Sequence, residues 1–305
     1  MNSHIPRRQF MHFAGLGALA GAGLMPSGKN ASGQTSGPGN QRPRLLVGCC
    51  AYSYRKYLDA KKMTMEEFIL KGVEFGLNGV DMTAYWFKST DPDYLLSLRY
   101  LALKNGMPFT GVGCGTEMLR ADNDGRRKSL DEIKSWVDAT DMLGASHLRV
   151  FAGALPKGAT LAQGLNWTVE TMKAACDYAS KKGVFLGVET HGGITQKAEN
   201  ALEIIHRVNS SYAGITLDIT HFLGDSDEDM YRQIEICIPH AVQSHIRDHF
   251  DNHRPIDLDR VWQMYAKAGY KGYMSLEYDD REDVMIAAPK MIQQMKTLSR
   301  KYSTV

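Results

Sequence analysis

The stretch GITLDITHF, residues 214–222, sets Asp218 and His221 three positions apart inside a run that otherwise carries the Ile, Leu and Ile of a buried strand. A carboxylate in such a run is costly unless something pairs with it. Its chemistry therefore depends on what other strands place beside it. Three more apolar runs end in the same manner: VFLGVETHG supplies Glu189 and His191, VQSHIRD supplies His245 and Arg247, and YMSLEYD supplies Glu277. Side chains alternate along a strand, so Gly187, Glu189 and His191 share one face and Val184, Leu186 and Val188 the other. By the same rule Thr216 and Asp218 oppose Ile215, Leu217 and Ile219. Gln243, His245 and Arg247 share a face, and Ser275 and Glu277 oppose Met274 and Leu276. Three carboxylates brought together in a partly dry site repel one another, and a divalent cation is the simplest neutraliser. Oxygen ligands with one imidazole suit Mn²⁺, Mg²⁺, Co²⁺ or Fe²⁺ at least as well as Zn²⁺. Structural ion pairs with Arg149 or Arg247 are the alternative.

Such convergence needs a scaffold that aims several strand ends at one point. Short strand-like runs (LLVGCCAY, GVDMT, FTGVGCG, HLRVFAG and the four above) alternate with longer segments of helical period such as MTMEEFILKGVEFGL and WTVETMKAACDYASKKG. The count is eight strands and eight helices. Gly76, Gly106, Gly144, Gly183 and Gly269 stand where helices would close on left-handed caps. This rhythm over residues 44–305 predicts an α/β fold, a (β/α)8 TIM barrel, whose chemistry sits at the C-terminal ends of the strands. An open doubly wound sheet fits less well, because no Gly-rich phosphate fingerprint follows the first strand.

The 305-residue chain is 43% apolar and 23% charged, an ordinary globular composition, and its formal net charge of +2 gives no broad basic surface for nucleic acid. Residues 1–30 pair Arg7 with Arg8 ahead of Phe10 and a short Gly- and Ala-rich apolar run, which resembles a twin-arginine export signal. Residues 31–43 read as a flexible linker. Periplasmic or secreted localisation is the expectation, with no stable membrane anchor. Five cysteines, an odd number, do not suggest a disulfide framework.

Taken together, GVETHGG, LDITH, SHIRD and SLEYD resemble the xylose isomerase-like barrels, the sugar and sugar-phosphate isomerases and epimerases. The resemblance implies one divalent metal, Mn²⁺ first among those above, held by Glu189, Asp218, His245 and Glu277. It also implies a substrate contact from His221 and an arginine beyond the metal histidine, a role for which Arg247 and Arg254 are both open. Glu189 and Glu277 would act as base and acid on a ketose or keto-sugar through an enediolate. His191, Arg149, Arg247, Trp86 and Tyr52 are candidate substrate contacts, and Tyr85 and Phe151 could also cover a sugar face. The expected partner is a small sugar or glycoside, and a homo-oligomer is compatible with the sequence. Three alternatives are weighed: a metal-dependent lyase eliminating from 3-keto-glycosides, an abasic-site endonuclease, and a non-catalytic sugar-binding protein. The endonuclease would need further strand-end histidines in the first half, which VDMT, VGCG and LRVFAG do not offer.

Overall fold

Eight runs of apolar and β-branched residues form eight parallel strands, each hydrogen-bonded to its neighbour in sequence, and the last returns to the first to close a barrel. The computed structural model describes residues 42–303. The export signal expected over 1–30 and nearly all of the linker expected over 31–43 lie outside the described residues. The strands are β1 (Arg44–Cys50), β2 (Gly79–Thr83), β3 (Phe109–Glu117), β4 (His147–Phe151), β5 (Phe185–Glu189), β6 (Ala213–Asp218), β7 (Ala241–Ile246) and β8 (Lys271–Leu276). Closure sets Gly48 opposite Ser275. Between them run α1 (Arg55–Asp59), α2 (Met65–Glu74), α3 (Pro92–Lys104), α4 (Asn123–Leu143), α5 (Leu161–Ala179), α6 (Ala198–Val208), α7 (Asp227–Cys237) and α8 (Leu258–Lys267), and α9 (Val284–Tyr302) ends the fold.

The helix count differs from the expected eight. Nine α-helices occur among the described residues because the first connection breaks in two. Lys61 takes a left-handed conformation with φ of 52° just after α1. Thr64 then starts α2 afresh: its hydroxyl accepts from the Glu67 amide while the Glu67 carboxylate accepts from the Thr64 amide, a reciprocal cap that satisfies two orphan donors. The five glycines expected at helix ends all have positive φ, Gly144 at 80° and Gly183 at 70° among them.

The two faces of the strands have different contents. Outward residues such as Leu186, Ile215, Leu217, Met274 and Leu276 are fully buried against the helices, and each aliphatic side chain so buried contributes about 1.5–3 kcal/mol. The inside is unlike the branched aliphatic filling common in these barrels. Asp81, His147, Arg149, Thr216, Gln243 and Ser275 occupy it, all buried. Glycine makes the room: a Cβ on Gly113 would lie 2.7 Å from the Arg149 guanidinium. All five cysteines are buried and free of disulfides. No helix of the described residues is long and apolar enough to cross a membrane.

Candidate metal centre

Glu189 closes β5, Asp218 closes β6, His245 is the penultimate residue of β7, and Glu277 follows β8 directly. Asp218 stands opposite His245, while Glu189 stands opposite Thr216 and Ser275 opposite His245, so Glu189 and Glu277 enter from two positions below and above the central pair. One ligand atom from each lies within 4.8 Å of all the others. None of the four residues is more than 4% exposed.

Asp218 shows how the local sequence orients a side chain. Its Oδ1 accepts from the Thr220 amide at 2.9 Å and the Thr220 hydroxyl at 2.6 Å. Its Oδ2 has no hydrogen-bond partner and faces His221 Nε2 at 3.2 Å and Arg247 at 3.3 Å. Thus Thr220 fixes one oxygen and turns the other toward His221 and Arg247. The His245 ring has two distinct edges: Nδ1 is 2.8 Å from Glu189 Oε1 and 3.4 Å from Glu277 Oε2, while Nε2 is 2.8 Å from Asp81 Oδ2. Arg149 Nε lies 3.3 Å from Glu189 Oε2, and Arg247 donates to Glu277 Oε2 at 3.0 Å.

Burial opposes every charge here, and the neighbours reverse it. Burial alone would raise Glu189, but Arg149 and His245 bring its carboxyl below the usual range. For Glu277 the burial effect is overcome by His245 and Arg247, and its carboxyl falls well below that range. Asp218, against the same penalty, is brought to about 2 by His221 and Arg247. Burial pulls His221 down, yet Asp218 beside it lifts the imidazole to about 10, and His245 likewise ends well above its ordinary value, Glu277 being the strongest opposing charge. The arginine pairs considered above as an alternative are therefore present. The arginines alone do not balance the site: Glu189, Asp218, Glu277 and Asp81 are four formal negative charges against the two of Arg149 and Arg247. The raised imidazoles of His221 and His245 meet the remaining two here, and a divalent cation would meet them equally. A buried carboxylate oxygen without a hydrogen bond, three carboxylates and an imidazole edge make a donor set that fits Mn²⁺, Co²⁺, Fe²⁺ or Zn²⁺.

The other candidates are distributed around this centre. His221 reaches Asp218 with Nε2 and Asp251 with Nδ1, the latter at 2.6 Å. His191 lies beyond the end of β5, half-buried, its ring 4.3 Å from that of His221 and 4.9 Å from Phe151. Arg149 is buried beneath Phe151, its guanidinium 4.2 Å from that ring, instead of lining the open mouth. Arg247 stands at the carboxylates, whereas Arg254 pairs with Asp227 at 2.7 Å. Tyr52, Tyr85 and Trp86 pack on one another, with ring separations of 6.0 Å for Tyr52 and 5.7 Å for Tyr85 from Trp86, and the Trp86 indole donates to Asp59 at 2.8 Å. Sequence reading missed Asp81, although a lone carboxylate in GVDMT is the same signal that drew notice in GITLDIT.

The model of the family described as xylose isomerase-like TIM barrel matches residues 70–299. No curated protein matches the chain at a significant level. Among solved structures, D-psicose 3-epimerase with D-tagatose from Clostridium cellulolyticum H10 is 16% identical, with 84% of this chain and 99% of that one covered at a TM-score of 0.69. The IOLI protein with a binding zinc atom is 18% identical, with 85% and 100% covered and a TM-score of 0.69. The 3-keto-D-glucoside 4-epimerase YcjR from E. coli is 16% identical, with 84% and 100% covered and a TM-score of 0.65. At these identities the likeness establishes the fold.

Proposed function

The chain belongs to the xylose isomerase-like TIM-barrel family, and from that premise we propose that it is a divalent-metal-dependent sugar isomerase or epimerase acting on a ketose or keto-sugar. The observation that carries the reading is the buried meeting of Glu189, Asp218, His245 and Glu277 at the C-terminal mouth of the barrel. The proteins of like fold named as a D-psicose 3-epimerase and a 3-keto-D-glucoside 4-epimerase support the substrate class. Export to the periplasm or beyond belongs to the same proposal and rests on Arg7 and Arg8 ahead of the apolar run.

These four residues would hold the cation. When bound, it polarises a substrate carbonyl and balances the charge of an enediolate. The side chains do the rest. Glu189 and Glu277, both ionised at neutral pH, are placed to take a proton from the carbon beside the carbonyl, the C–H electron pair passing into the enediolate. Return of that proton by the same carboxyl to the neighbouring carbon gives the isomer; a proton that the opposite carboxylate takes up from water and delivers to the other face gives the epimer, the first carboxyl then losing its proton to water. His221, anchored through Nδ1 on Asp251, would turn its Nε2 from Asp218 to a substrate oxygen. Phe151 and the Tyr52 and Trp86 pair exclude water from one side of the sugar.

Incubation of the metal-loaded protein in D2O with free ketoses and with 3-keto-glucosides tests this. Deuterium at one carbon, accompanied by an epimer or isomer in the proton NMR spectrum, is the expected result. Free aglycone would identify the lyase instead, and no exchange with any of these sugars would overturn the assignment.

A further inference from the structure

We propose that Asp81, on β2, is the residue that positions His245, holding the Nε2 edge of the imidazole so that Nδ1 presents its lone pair to the carboxylate cluster. The proposal rests on reading that cluster as a metal centre. A neutral imidazole has one donor and one acceptor nitrogen. Asp81 Oδ2 lies 2.8 Å from Nε2 and accepts from it; Asp81 keeps the Nε2 proton, so a cation at the cluster would replace the proton on the Nδ1 edge. That edge is the one 2.8 Å from Glu189 and 3.4 Å from Glu277.

A buried carboxylate needs compensation, and Asp81 is only 3% exposed. Its ion-pair partner among the described residues is His245. The Gln243 amide, two positions earlier on the same face of β7, donates to the same Oδ2. Oδ1 has no hydrogen bond, so the side chain is committed to this one task. β1 and β8 separate β2 from β7 in the barrel order, and they place Gly48 opposite Ser275 at the level of His245, small residues that leave Asp81 its reach. Metal-binding histidines commonly give their second nitrogen to such a carboxylate, and losing it costs roughly 10–100-fold in metal affinity.

A rival use of the same atoms exists. Cys50, Asp81 and His245 also bring one ligand atom each within 4.8 Å, which would make Asp81 a ligand beside a thiolate. The Cys50 thiol is turned elsewhere, 3.7 Å from Glu277 Oε1 and 3.6 Å from Thr83 Oγ1, which favours the positioning role.

The test is titration of the metal-free full-length protein with Co²⁺, reading affinity and visible absorption together. Asp81→Ala should weaken binding by about 10–100-fold and change the cobalt spectrum. Asp81→Asn, which keeps an acceptor without the charge, should fall between it and wild type. Cys50→Ser should bind like wild type, and no thiolate-to-cobalt band should appear in any variant. Thermal unfolding of the metal-free variants shows that they fold, and Asp81→Asn carries the test should Asp81→Ala not do so. Wild-type affinity and spectrum in both Asp81 variants would overturn the proposal, as would a thiolate band lost in Cys50→Ser. Wild-type protein that binds no cobalt would overturn the metal centre itself, a result distinct from either.

Discussion

The two halves of the barrel carry different chemistry. β5 to β8 each deliver one metal-competent side chain to the mouth, in the order Glu189, Asp218, His245 and Glu277. β1, β2 and β4 bring Cys50, Asp81 and Arg149, all buried, and Gly113 on β3 leaves room for Arg149. The second half brings groups that can react, and the first brings their supports: Arg149 against Glu189, Asp81 against His245, and glycines that make space for both kinds. The proposed function thus sits in one half of a closed ring, but its charge balance is shared by the whole ring.

The sharpest way to break this division is to neutralise one member of each half. Glu277→Gln should lower the rate of substrate proton exchange by about 10²–10⁴-fold, roughly 3–5 kcal/mol of barrier, with the fold intact by circular dichroism. Unchanged exchange would remove the second half from the chemistry.

In the first half the cost should appear in stability. Arg149 and Glu189 are both fully buried, and removing one partner strands the other charge, so Arg149→Met should destabilise the metal-free protein by about 3–5 kcal/mol in urea unfolding. Adding Glu189→Gln should recover part of that loss. An Arg149→Met protein as stable as wild type would mean that the pair is incidental.

His147, deeper in β4, sharpens the contrast through pH. Burial keeps its imidazole neutral and lowers it to about 4 despite the opposing charge of Asp81. The unfolded chain takes up the proton below its ordinary value near 6.5, whereas the folded chain resists it down to about 4. Stability is therefore complete above about pH 6.5 and is lost as pH falls toward 4, by about 3 kcal/mol over the window. Urea unfolding of wild type and His147→Gln across that range should show a flatter slope for the variant, and identical slopes would place the titration elsewhere.

Legibility from sequence followed the same line between the halves. In β5 to β8 a two-residue alternation separates Leu186, Leu217 and Leu276 from Glu189, Asp218 and Glu277, and the structure puts the first set against the helices and brings the second together. The helix-closing glycines were readable because only a positive φ demands them. Asp81 stood as a lone carboxylate in GVDMT, but its role depends on His245, 164 residues away, a partner that nothing local announces. The burial of Arg149 was equally hidden, because it depends on the missing side chain of Gly113 on the neighbouring strand. The extra helix α1 was not readable because RKYLD, five residues long, is too short to show a helical period, whereas α2, started by the Thr64 and Glu67 cap, falls within MTMEEFILKGVEFGL.

The central claim is that the four residues closing β5 to β8 form a metal centre, and elemental analysis tests it most directly. Purified protein, reconstituted with manganese, cobalt or zinc and dialysed against metal-free buffer, should retain about one equivalent of divalent metal. Asp218→Asn should lose it. Wild-type protein that retains none under these conditions would contradict the account, leaving Asp218 and His221 as a structural ion pair at the mouth of the barrel.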